Sequence, residues 1–190
     1  MVVEWREKEH EEEDDAILGN PEATNALLQC GLLKFFKVLK MKAHKQLLRK
    51  LVEYWDPFDE AFVLDEDILH IEVGDIYFLT GLSRRGLKVS LTGVGSREAL
   101  TVREYTQQYC TAEAIVNSTW VPIKYIRNPS LKAIVFIINR MAGSAARHLA
   151  TQPYMALALT CLKPQLYDWC SAMRENLCKK LTACHEGRKK

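Results

Sequence analysis

Apolar residues recur along this chain in blocks whose spacing switches from helical to alternating and back. Leu47, Leu48, Leu51, Val52, Tyr54 and Trp55 fall at three- and four-residue intervals, which predicts a helix with one apolar face running to Trp55. Asp56-Pro57 ends it, because a residue before proline is pushed out of the helical region. Ala61-Phe62-Val63-Leu64 and Ile68-Leu69-His70-Ile71 flank Asp65-Glu66-Asp67, the pattern of a hairpin with an acidic turn. Val73, Ile76, Tyr77 and Leu79 suit one face of a second helix, and Gly81 can take the left-handed position that closes it. A short strand then closes on Thr92-Gly93.

The same grammar extends outward. Asn20-Pro21-Glu22 is a helix start: Asn caps, Pro fits the first turn and Glu suits the positive end. Ala26, Leu27 and Cys30 continue that helix, and Gly31 marks a stop or a thin point before Leu32–Phe36. The alternation Val38-Leu39-Lys40-Met41-Lys42 predicts a break between two helices. Val94-Gly95-Ser96 reads as a loop, and Thr101 with Glu104 as a capping box opening a helix faced by Val102, Tyr105, Tyr109 and Cys110. Trp120–Ile126 reads as an edge strand or ordered loop, because Pro122 lacks a ladder donor. Asn128-Pro129 starts a helix that is apolar nearly all round from Leu131 to Met141, the pattern of a central helix wrapped by others. Another helical segment spans Tyr154 to Leu162. Lys163-Pro164 then opens a last helix, striped by Leu166, Trp169, Cys170, Met173, Leu177, Leu181 and Cys184.

The fold class that follows is mainly α: a single globular helical domain with a small β-hairpin or three-strand element built around Phe62, Leu64, Ile71 and Val89. Residues 1–19 are expected to be a disordered acidic arm, 20–186 the helical domain and 187–190 a basic tail.

Composition narrows the class of protein. A chain of 190 residues, apolar at nearly half its positions, can bury one core of ordinary size. No apolar run reaches the length a membrane span needs, and the start of the chain lacks the basic and apolar regions of a signal peptide. Six cysteines without secretory features fit a reducing compartment, cytosol or nucleus. The net charge of +2 implies no partner, but its distribution is uneven. Residues 1–15 hold eight acids, either a solvated arm or an intramolecular cover for the basic segment that follows. That segment carries seven cations and no acid: Lys34, Lys37, Lys40, Lys42, Lys45, Arg49 and Lys50. It is either a solvated helix face or a phosphate-facing surface joined by Arg84 and Arg85 or by the Arg188-Lys189-Lys190 tail. Phe35 and Phe36 fall on the apolar face with Leu32 and Leu39, as core residues rather than base-stacking ones.

Catalytic chemistry is not visible. No Gly-rich phosphate loop, nucleophile elbow, paired-His zinc motif or C-x-x-C pair occurs. Ser144 lacks the second Gly of an elbow, and His148 has no carboxylate placed to orient it. Cys170, Cys178 and Cys184-His185 invite a metal reading, but zinc sites usually pair ligands two to four residues apart, and these thiols lie on the packing stripe. We therefore assign no catalytic, cofactor or metal residue from the sequence.

The stretch L-x-x-L-V-E-Y-W-D-P, then F-x-L, then D-I-Y-F-L-T-G-L with a following Gly and Thr-Gly, resembles the plant mobile domain, a family also labelled aminotransferase-like. Leu51, Val52, Glu53 and Trp55 match its helix-ending signature. Pro57, Phe62 and Leu64 match the turn and first strand, and Asp75, Gly81, Leu82, Gly86 and Gly93 match the remainder. Cys30-Gly31-Leu32 resembles the family's Gly-aromatic entry, with Leu in the aromatic place. Ser83 and Arg85 stand where the family has Pro and Asp, so the chain resembles a divergent, transposable-element-associated branch. Family members run longer, which implies that a C-terminal half is missing here. The resemblance implies a non-catalytic nuclear interaction domain with protein partners, linked to transposable elements or their silencing. A nucleic-acid-binding module using residues 34–50 is the alternative. An element-encoded nuclease, drawing on Asp65 or Asp67, is a third reading. Oligomeric state is not implied.

Overall fold

The computed structural model describes residues 16–17, 19–38, 44–91, 100–114, 119–143 and 148–188. In chain order the helices are α1 (Pro21–Gln29), α2 (Leu33–Val38), α3 (Lys45–Glu53), α4 (Val73–Thr80), α5 (Val102–Tyr109), α6 (Pro129–Met141), α7 (Gln152–Cys161) and α8 (Trp169–Arg188). Short strands alternate with them: β1 (Trp55–Asp56), β2 (Ala61–Leu64), β3 (Asp67–His70), β4 (Leu87–Lys88), β5 (Val121–Pro122), β6 (Leu149–Ala150) and β7 (Tyr167–Asp168). The protein is mainly α with a small antiparallel β element. Its residues gather into two compact units, each built from two separate stretches of chain: Met1–Leu33 with Gly93–Gln165, and Lys34–Thr92 with Leu166–Lys190.

The first unit is organised on α6. Asn128 Oδ1 accepts from the Leu131 amide at 2.8 Å, and Pro129 needs no donor in the first turn, so the helix starts where the sequence says. Leu131, the run from Ala133 to Asn139 and Met141 are all buried, as a helix apolar all round requires. Each large side chain in that set contributes about 1.5–3 kcal/mol of gross burial. Within it sits one polar group, Asn139, whose Nδ2 donates to the Leu149 carbonyl at 3.2 Å and ties α6 to β6. Helices α1 and α7 pack on α6. Asn20 Oδ1 caps α1 by accepting from Glu22 and Ala23 at 3.0 and 3.1 Å.

The far end of α1 resolves the sequence ambiguity at Gly31. Leu32 N–H donates to Leu27 O and Gly31 N–H to Leu28 O, the paired bonds of a Schellman stop, with Gly31 at φ 79°. Gly31 is therefore a full stop, and α2 is a new helix. The Thr101–Glu104 capping box forms as expected, with Thr101 N–H donating to Glu104 Oε2 at 2.7 Å. Pro122 lies in a two-residue ribbon, antiparallel to β6. Within the expected arm, Ala16 and Ile17 are helical and Ile17 is buried. The remainder of the acidic arm, residues 1–15, lies outside the described residues, as do 39–43, 92–99 and Lys189 and Lys190 of the basic tail.

The second unit packs α8 against α3, α4 and a three-stranded antiparallel sheet of order β1-β2-β3. The hairpin closes at Leu64 opposite Asp67, so its turn is Asp65-Glu66, with Asp65 in the left-handed region at φ 52°. Three expectations are corrected here. Helix α3 ends at Glu53, and Trp55 belongs to β1. The Asp56 side chain accepts the Phe58 and Asp59 amides at 2.7 and 3.2 Å, and that turn folds Trp55 back opposite Phe62. The third strand of the sheet is β1; Val89 is not in it, and Ile71 lies just past β3. Helix α8 starts at Trp169, six residues after Lys163, because Tyr167-Asp168 is taken up in parallel pairing with Leu87-Lys88. Asp168 Oδ1 then caps the helix by accepting from Ser171 N–H at 3.0 Å.

Candidate interaction surface

Helix α4 is where local chemistry and exposure diverge most. Glu72 N–H donates to Asp75 Oδ2 at 2.8 Å, which opens the helix and gives Asp75 a structural task. Gly81 closes it at φ 67°, its N–H donating to Tyr77 O at 2.8 Å. Only Ile76 and Thr80, one turn apart, are buried. Thr80 satisfies its own hydroxyl by donating to Ile76 O at 2.5 Å and accepting from Leu82 N–H at 3.2 Å, so a polar residue fills a core position. Tyr77, Phe78 and Leu79 are consequently turned outward, Phe78 at 82% and Leu79 at 75% exposure. The expectation that Tyr77 and Leu79 belong to the packed face is corrected.

A single exposed leucine needs no explanation. Three consecutive large apolar side chains on one helix differ, because residues about 100° apart cover most of its outer half. Tyr77 and Phe78 meet edge to face, with ring centroids 5.4 Å apart. The Arg84 guanidinium lies 5.1 Å from the centre of the Tyr77 ring. Lys34 arrives from α2 with its hydrocarbon stem over Gly81; a β-carbon there would lie 2.9 Å from Lys34 Cδ. Arg85 follows in the loop, where Ser83 Oγ accepts its amide at 3.1 Å. Lys34 is thus brought to the end of α4 from which Arg84 and Arg85 follow, beside exposed aromatic rings.

The other predicted cations are placed differently. Arg49 and Lys50 are exposed on α3, whose N-terminus is capped by His44 Nδ1 accepting from Leu47 N–H at 3.2 Å. Lys40, Lys42 and the side chains of Lys37 and Lys45 lie outside the described residues. Phe35 and Phe36 are buried, as their spacing predicts.

The signature residues divide into packing and backbone roles. Trp55 is buried, stacks edge-on to Phe62 at 5.1 Å and donates from Nε1 to Thr182 Oγ1 at 3.1 Å. Leu82 is fully buried; Leu51, Pro57 and Leu64 are half-buried. Gly93 lies outside the described residues.

Helix α8 is not a free apolar face. Trp169, Cys170, Ala172 and Cys178 are buried, as a packing stripe requires. Cys170 Sγ donates to Leu82 O at 3.1 Å, and burial, reinforced by Asp168 and partly offset by Arg84, pushes its thiol up to about 11. Burial likewise raises Cys178, and His185 Nδ1 engages Val52 O at 3.0 Å. Among the described residues no three His, Cys, Asp or Glu side chains gather as a metal would need. Asp65 and Glu66 on the hairpin turn and Asp67 at the start of β3 are exposed. Among the described residues no helix is long and apolar enough to cross a membrane.

Comparison with protein-family models, with curated proteins and with solved structures finds no match.

Proposed function

We propose that this chain is a non-catalytic interaction module of the plant mobile domain kind, acting in the nucleus through the outward face of α4. The observation that carries the binding role is the exposure of Phe78 and Leu79 on a helix held by a capping box and a glycine stop. A rigid helix offering adjacent aromatic and aliphatic side chains, rimmed by cations, is the usual physical form of a protein-binding patch. The family part rests on the signature residues: Trp55, Asp75, Gly81 and Gly86 sit where indole packing, capping and left-handed backbone call for those residue types. A role in transposable-element biology follows from that resemblance alone. Retention of nuclear proteins by the full chain, with and without nuclease, tests the reading; partners that survive nuclease support it.

One observation favours a second reading. Lys34, Arg84 and Arg85 share the neighbourhood of exposed Tyr77 and Phe78, and cations beside aromatic faces also suit nucleic acid. If those three charges met duplex phosphates, log affinity would fall with log salt at a slope of about −2.7. Gel mobility shifts at graded salt separate the two readings, because absence of a shift at low salt removes the second.

A further inference from the structure

We propose that the first unit carries a separate ligand site, the cavity at the N-terminal ends of α1 and α6, and that it binds a compact carboxylate with an apolar body. The cavity has a volume of about 260 Å³ and opens to solvent. Ile17, Ala23, Ile123, Ile126 and Phe136 give it an apolar floor, while Asn20, Arg127 and Lys132 supply its polar wall. Both cations are held in place by neutral groups: Arg127 Nη2 donates to Gln108 O, and Lys132 Nζ donates to Lys124 O at 3.2 Å. A carbonyl orients a cation without cancelling its charge. Among the described residues neither Arg127 nor Lys132 forms an ion pair, and Glu22, the acid in the first turn of α1, is exposed and does not line the cavity.

The neighbouring helix ends add to this field. Ser130 Oγ donates to Glu22 O at 3.2 Å, which sets the first turns of α1 and α6 side by side with their positive ends together. Asn20 and Asn128 already occupy several first-turn amides, so the attraction comes from the two side-chain cations and the summed field rather than from free N–H donors. Charge and floor together select the ligand. A bare inorganic anion would leave the apolar wall uncovered, and a neutral hydrocarbon would leave two cations unanswered. The volume lies just under the usual range for small-molecule sites, which limits the ligand to roughly ten non-hydrogen atoms. The chain itself holds the same chemistry, since residues 1–15 carry eight carboxylates together with Trp5.

Octanoate is a suitable probe, titrated by calorimetry into the full chain and into a variant with Glu11, Glu12, Glu13, Asp14 and Asp15 changed to Gln or Asn. Octanoate should bind one per chain, 1-octanol more weakly, and the R127Q/K132Q double variant should weaken octanoate about tenfold. Binding only to the arm-neutralised chain, with the same sensitivity to R127Q/K132Q, would identify the chain's own carboxylates as competitors and equally support the site. Circular dichroism checks folding; if the double variant is unfolded, the single variants R127Q and K132Q are compared instead. No binding to either chain, or octanoate binding unchanged by loss of both cations, would overturn the proposal.

Discussion

The Trp55 indole donates to Thr182 Oγ1 at 3.1 Å, joining residues 127 positions apart and fastening the start of the β-sheet to the last helix. The same ring meets Phe62 edge-on at 5.1 Å, so one side chain holds α8 and β2 together. Trp55→Ala should therefore cost about 3–5 kcal/mol, through lost burial and the cavity left behind. Thr182→Val should cost about 1–3 kcal/mol, since it keeps the packing and strands the indole donor. Urea denaturation of the full chain measures both, and an unchanged midpoint for Trp55→Ala would contradict the anchoring role.

Gly86 is the most constrained glycine of the second unit. It sits at φ 117°, and a β-carbon there would fall 2.2 Å from Leu166 O and 2.8 Å from Tyr167 N. That close approach lets Leu87 N–H reach Leu166 O at 3.0 Å and start the parallel pairing of β4 with β7. Gly86→Ala should destabilise by at least about 2–3 kcal/mol, combining backbone strain with overlap. Gly74→Ala is the control: a β-carbon at that helical position meets nothing within 4 Å, and the change should be neutral or stabilise by up to about 1 kcal/mol.

Thiol reactivity reports the core directly. Five cysteines are buried and Cys184 is exposed. Iodoacetamide on the native chain should modify Cys184 rapidly and leave Cys30 and Cys170 protected until the chain unfolds, because burial raises both thiols to about 11. Fast native labelling of Cys30, read by peptide mass, would show an open first unit.

The same two thiols predict an alkaline limit to stability. In the unfolded chain a thiol ionises near 9.0, whereas folded Cys30 and Cys170 keep their protons to about 11. Below pH 9 both states are protonated and these groups leave stability unchanged. Between pH 9 and 11 the unfolded state sheds protons that the folded state retains, so stability falls as pH rises, by up to about 1.4 kcal/mol per pH unit for each thiol. Cys30→Ala should flatten part of that slope in denaturation midpoints recorded from pH 8 to 11.

Much of the helical framework was legible because its signals are local. Asn20-Pro21, Asn128-Pro129 and Thr101–Glu104 specify helix starts through side chains only two or three residues away. The all-round apolar run of α6 admits one environment, and Gly81 one conformation. What escaped depends on distant partners. Strands β4 and β7 are two residues each and meet across about eighty residues of chain, so neither alternation nor a turn marks them. The division at residues 33/34, 92/93 and 165/166 joins stretches far apart in the chain, a pairing that no local pattern marks. The outward face of α4 was hidden for a related reason. Spacing marks Tyr77 and Leu79 as apolar-face residues, but in the folded helix only Ile76 and Thr80 are buried. A threonine with an internally satisfied hydroxyl took the place the pattern reserves for an apolar side chain. Lys34 was legible as a charge but not as the stem lying over Gly81.

The most direct test of the α4 reading compares the full chain with its F78E/L79E variant. Both side chains project outward, so the variant should keep its denaturation midpoint to within about 0.5 kcal/mol, as exposed substitutions do. Its set of nuclease-resistant nuclear partners should nevertheless be lost, while the parent chain retains them. An equally stable variant that still captures the same partners, or a parent chain whose partners all vanish with nuclease, would contradict the account.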